Sequence, residues 1–136
     1  MGTNAQIDSI PQSIAQQEKA IGLVTNWINL ITVGEDIDSL MEMTALPFAL
    51  DRRELLNSEE ELKSFYAKVT EKIGKQTPPK VASRIFNSKY EIIEKSIPLN
   101  ILIIEITVLD GDLKDDIVFL TVNISGDEMK IVGFTD

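Results

Sequence analysis

From Ile7 to Ile31 the apolar residues Ile7, Ile10, Ile14, Ile21, Val24, Ile28 and Ile31 recur at three- and four-residue spacing. That is one face of a helix, predicted to begin near Ser9 or Ile10 with Pro11 in its first turn, where a missing amide hydrogen is tolerated. Leu23, Trp27 and Leu30 add a second apolar stripe, so the helix is expected to be covered on more than one side. After Gly34, acids followed by Ile37, Leu40 and Met41 predict a short helix over Glu35 to Thr44. Leu46 to Leu50 reads as a short strand, and Pro47 argues for an edge or strand-start position. Asp51, Arg52 and Arg53 form a turn. Ser58 with Glu61 makes an S-x-x-E capping box ahead of Leu62, Phe65, Tyr66, Val69 and Ile73, and Gly74 ends that helix.

Beyond the rigid Thr77-Pro78-Pro79 exit the pattern changes to strands: Val81 to Ile93, interrupted or bulged, then Leu99 to Leu109, Ile117 to Ile124 and Met129 to Phe134. Asp110-Gly111-Asp112 and Ser125-Gly126-Asp127 supply turn chemistry between the last three runs, which are therefore expected to be consecutive antiparallel neighbours. Helices followed by a strand meander define an α+β domain. The 136 residues suit one domain spanning 1–136.

Composition narrows the chemistry. Thirteen basic against 22 acidic residues give a formal charge of -9, which repels phosphate backbones and anionic lipid. Neither nucleic acid nor membrane is an expected partner. The chain has no Cys and no His. Thiolate nucleophiles, the Ser-His-Asp triad and most zinc sites are thereby removed, and acid-base chemistry is left to carboxylates, Lys or Tyr. No apolar run approaches the ~18 residues of a membrane span. No secretory leader is visible, so a cytoplasmic location is expected; the alternative is an exported protein whose leader was removed. No cofactor motif occurs.

The helix-helix-strand-helix-meander order resembles the nuclear transport factor two-like superfamily, with its ketosteroid isomerase and SnoaL-like branches. The segments that carry the likeness are WINLITVGEDIDSLMEMTALPFALD (Trp27 to Asp51), SEEELKSFY (Ser58 to Tyr66) and MKIVGFTD (Met129 to Asp136). The resemblance implies a cone-shaped α+β fold, in which three N-terminal helices pack in the concave face of a curved, mostly antiparallel sheet that leaves a pocket at its open end. It implies a fold more strongly than a function, since one scaffold hosts many activities. In the isomerase branch an Asp base works with a Tyr and a protonated acid. Asp51 lies in the region of the base, but no Tyr occurs in the first helix, so that catalytic set is not transferred to this chain.

Candidate ligand-binding residues are Trp27, Phe48, Asp51, Tyr66, Glu105 and Phe134; no catalytic or metal-ligating residue is assigned. Glu105 interrupts the apolar run Ile101 to Val108 and must face a cavity, solvent or an interface. Strand alternation by itself puts it with Ile101, Ile103 and Thr107 on the less buried sheet face. Trp27 would need a hydrogen-bond partner if buried. Asp136 shares a strand side with Phe134. Asp110 to Asp116, DGDLKDD, fails the calcium-loop pattern, with Lys114 fifth, Asp115 where Gly is required and Thr121 where the bidentate Glu belongs; it reads as a charged hairpin turn. Lys63, Lys68, Lys72 and Lys75 read as a solvated helix face. Two functions follow as expectations: a non-catalytic domain that binds a small apolar or weakly polar ligand or forms a homodimer through its sheet face, or a carboxylate-based isomerase or dehydratase of a small carbonyl compound. The enzyme would use Asp51 or Glu105 as base and Tyr66 or Tyr90 as donor.

Overall fold

The computed structural model describes residues 14–51, 53–85, 101–124 and 128–136. The start of the first helix with Pro11, Arg52, the second half of the Val81 to Ile93 run, Tyr90, Leu99 and the turn at 125–127 lie outside the described residues. Three helices, α1 (Ile14–Val33), α2 (Ile37–Glu42) and α3 (Glu59–Ile73), pack on a sheet of β1 (Thr44–Leu50), β2 (Glu54–Leu56), β3 (Val81–Ile85), β4 (Ile101–Val108), β5 (Ile117–Asn123) and β6 (Lys130–Thr135).

Each helix starts and stops where local chemistry dictates. On α1 the residues Ala20, Val24, Trp27, Ile28, Ile31 and Thr32 are buried along one face. The Thr32 hydroxyl is satisfied within the helix, donating to the Ile28 and Asn29 carbonyls at 3.0 Å each. Gly34, at φ +72°, closes the helix with its amide on the Leu30 carbonyl at 2.9 Å. Asp36 caps α2, accepting from the Ser39 amide at 3.0 Å and the Ser39 hydroxyl at 2.7 Å. Those two bonds, the hydroxyl first, hold its carboxyl below the ordinary aspartate pKa. Ser58 caps α3 by accepting from the Glu61 amide at 3.2 Å, and the Glu61 carboxylate reaches back to the Asn57 amide at 3.0 Å. Gly74, at φ +77°, ends α3 as expected, its amide donating to the Thr70 carbonyl at 3.0 Å.

The strands run in the order β2-β1-β6-β5-β4-β3. β4, β5 and β6 are the expected consecutive antiparallel neighbours, while β1 and β6 pair in parallel. Leu102, Ile104, Ile106 and Val108 face the helices from β4, joined by Leu120 and Val122 of β5 and Ile131 of β6. The core lies between this sheet face and α1.

The cone implied by the family resemblance is not formed: the sheet is open, with β2 and β3 at opposite ends of the order and no pairing between them. The reason lies in what covers α1. Its second apolar stripe does not require a sheet curled around it, because α2 and α3 pack beside it. Tyr66 of α3 and Phe134 of β6 enclose Trp27, while Leu23 and Leu30 stay half-buried at the margin.

Pro47 is not at the strand start, and β1 as a whole runs between β2 and β6, but Pro47 precedes the β2 ladder and so lies where β1 is locally an edge. Pairing with β2 begins only at Phe48, and the register with β6 shifts between Thr44 and Ala49. Pro47 thus occupies a stretch in which no ladder partner needs the amide hydrogen it lacks.

Candidate functional site

Four of the six residues singled out in the sequence meet in one aromatic cluster. The Trp27 and Phe134 rings lie 5.5 Å apart between centroids, Trp27 and Tyr66 6.1 Å, and Phe48 and Tyr66 6.4 Å. Phe65 completes the cluster, 5.2 Å from Tyr66 and 5.9 Å from Phe134. α1, α3, β1 and β6 each contribute to it, so its geometry is fixed by how the helices dock on the sheet.

A directed chain of hydrogen bonds runs beneath these rings. The Trp27 indole N–H donates to the Tyr66 hydroxyl at 2.9 Å, which supplies the partner a buried indole requires. Thr44 spends its one hydroxyl proton on the Leu40 carbonyl at 2.7 Å. The contact of 2.5 Å between the Thr44 and Tyr66 oxygens is therefore donated by Tyr66. Burial pushes the Tyr66 hydroxyl above its ordinary pKa of 10.0, against the opposing pull of the bond it accepts from Trp27.

Beside the cluster lies a cavity of about 400 Å³. Its apolar wall comes from Trp27, Ile28 and Ile31 of α1, Val69 and Ile73 of α3, and Val108, Val118 and Phe134 of the sheet. Its polar lining comes from Thr32, Lys72, Gln76, Asp112, Asp116 and Asp136. Of the sequence candidates, Trp27 and Phe134 line this space. Phe48 and Tyr66 stand behind it, fully buried.

Asp51 is held outside the cavity in the turn after β1, at φ 53°. Its amide donates to the Phe134 carbonyl at 2.9 Å, and its carboxylate accepts from the Asp136 amide at 3.4 Å. Glu105 is elsewhere. The inward positions of β4 belong to Leu102, Ile104, Ile106 and Val108, which places Glu105 on the other face of the sheet. There it pairs with Arg84, its cross-strand neighbour on β3.

Lys72, Gln76, Asp112 and Asp116 were not among the sequence candidates. Lys72 lay in the helix face read as solvated, and the two acids in the segment read as a charged hairpin turn. Lys72 is in the last turn of α3, Gln76 follows that helix, and Asp112 and Asp116 are in the β4–β5 connection, all at one end of α1. That turn is built from Gly111 at φ 79° and Asp115 at φ 75°, with Asp115 donating to the Val108 carbonyl at 2.8 Å. Among the described residues no group of three His, Cys, Asp or Glu is placed to hold a metal ion. No described helix is long and apolar enough to cross a membrane.

No protein-family model matches the chain, and no curated protein matches it in sequence. Solved structures do. A candidate calcium/calmodulin dependent protein kinase II association domain from Xanthomonas campestris superposes over 91% of this chain and 86% of its own, with 12% identity and a TM-score of 0.46. An NTF-2 like protein of unknown function from Silicibacter pomeroyi superposes over 91% of this chain and 97% of its own, with 21% identity and a TM-score of 0.57. The chain is an α+β domain with the fold of the nuclear transport factor two-like proteins.

Proposed function

We propose that this domain binds a small apolar or weakly polar ligand, without chemical turnover, in the cavity between α1, the end of α3 and the sheet. The observation that carries the reading is the cavity itself. About 400 Å³ falls within the range of small-molecule sites, and a mostly apolar wall with a few polar groups is the composition such sites have. Trp27 and Phe134 are the ligand-binding residues, and Tyr66 and Phe48 hold them in place from behind.

The carboxylate-based isomerase or dehydratase needs a base and a hydroxyl donor facing one substrate. Asp51 is tied into a turn, Glu105 is paired with Arg84 on the far face, and the Tyr66 hydroxyl is committed to Trp27 and Thr44. These three groups have separate surroundings, which favours binding over catalysis. A homodimer through the sheet face is compatible with the same pocket. Its support is Ile117, 47% exposed on the outer face beside Thr107.

Trp27 is the one tryptophan in the chain and lines the cavity, so its emission reports directly on occupancy. Neutral apolar compounds such as octanol are expected to shift that emission saturably, and Val118→Phe, which fills the space, to abolish the response. A wild-type protein whose emission never saturates, or a Val118→Phe variant that binds equally well, would refute the reading.

A further inference from the structure

The charges around the cavity are unequally distributed. Asp112 and Asp116 stand on the β4–β5 connection and Asp136 follows β6, all three exposed, and all three line the space. Among the described residues Lys72 is the one basic side chain in the lining. Among the described residues none of these four groups is in an ion pair. Two acids therefore remain uncompensated at the mouth, in a chain that is already at -9. The field at the opening is negative, and beneath it lies an aromatic and aliphatic wall that gives no reason to seat a bare metal ion. Resting on the ligand-binding reading above, we propose that the occupant is a cationic amphiphile: an apolar body held against Trp27, Ile31, Val69 and Phe134, with a protonated amine at the Asp112 and Asp116 side of the mouth.

This arrangement discriminates by charge in both directions. An amine keeps partial contact with water at the exposed mouth and gains attraction without a large desolvation cost. A carboxylate of the same size meets two or three like charges and has Lys72 as its single partner. Because the acids are exposed, the preference is screened by salt.

Octylamine, octanol and octanoate, with one shared chain and three head groups, test this by titration of Trp27 emission below their aggregation concentrations. Octylamine is expected to bind about five-fold tighter than octanol in low salt, with octanoate weakest. High salt and the double substitution Asp112→Asn/Asp116→Asn should each collapse the amine-to-alcohol ratio toward one. Both positions are exposed, and the backbone bonds of the turn do not use their carboxylates. An octanoate affinity equal to that of octylamine, or a ratio that survives the double substitution, overturns the charge preference while leaving the pocket intact. Silence from all three probes, or undiminished binding of all three to Val118→Phe, overturns the pocket reading and the preference with it.

Discussion

Tyr66 carries a hydroxyl into a fully buried position and satisfies it on both sides, accepting from Trp27 and donating to Thr44. Tyr66→Phe removes that oxygen and leaves a buried indole N–H without a partner. The expected loss is about 1–3 kcal/mol of stability, read from the midpoint of urea unfolding. The same residue sets an alkaline limit. Its folded pKa is raised above 10.0, so its contribution is complete below the unfolded value and is lost as pH climbs through the folded one. Wild-type stability should therefore fall above about pH 10, and Tyr66→Phe should reduce that fall; equal alkaline slopes in the two proteins would contradict the assignment. Sequence reasoning could state that Trp27 needs a partner if buried. It could not name one 39 residues away, because that pairing depends on how α1 and α3 dock. Glu105 was legible to a greater degree, since alternation along β4 sorts inward from outward positions without tertiary information.

At the level of elements, α3 is the most locally determined. Its cap, its apolar face and its terminating glycine are all short-range features, and all three are where the pattern puts them. Ser58→Ala is expected to cost about 1 kcal/mol, and a helix-content signal lost in step with global unfolding would show that the cap supports the whole domain. The sheet was legible only where turn chemistry joins neighbours, as in β4, β5 and β6. β2, three residues long, is too short to display alternation, and the parallel pairing of β1 with β6 leaves no local signature at all. Gly133 marks that junction. A Cβ there would meet the Thr121 hydroxyl at 3.1 Å and the Ala49 carbonyl at 3.3 Å. Gly133→Ala is expected to lower stability by about 1–3 kcal/mol in thermal or urea unfolding, since the strands on both sides must move to admit one methyl group.

At the scale of the whole molecule, the described strands form an open sheet with β2 and β3 at its edges, and the sequence manages its outer face partly with charge. Arg84 and Glu105 pair across β3 and β4 on the outer face, while Ile117 remains 47% exposed there and Leu55 of β2 is 57% exposed. Sedimentation should detect self-association if this face pairs copies of the chain, and Ile117→Lys should weaken it by placing a like charge on each copy. A monomer at every concentration would remove the homodimer from the functional reading. The position of β6 has a separate consequence, which concerns time. It is the central link of the sheet, joining β2-β1 to β5-β4-β3, and it also supplies Phe134 to the cavity. A ribosome produces β1 long before β6, so β1, joined early by β2, waits for its second neighbour while all the other described strands emerge. Closing the sheet at β6 depends on contacts remote in sequence, and the cavity lined by Phe134 is complete only after the other described strands have emerged.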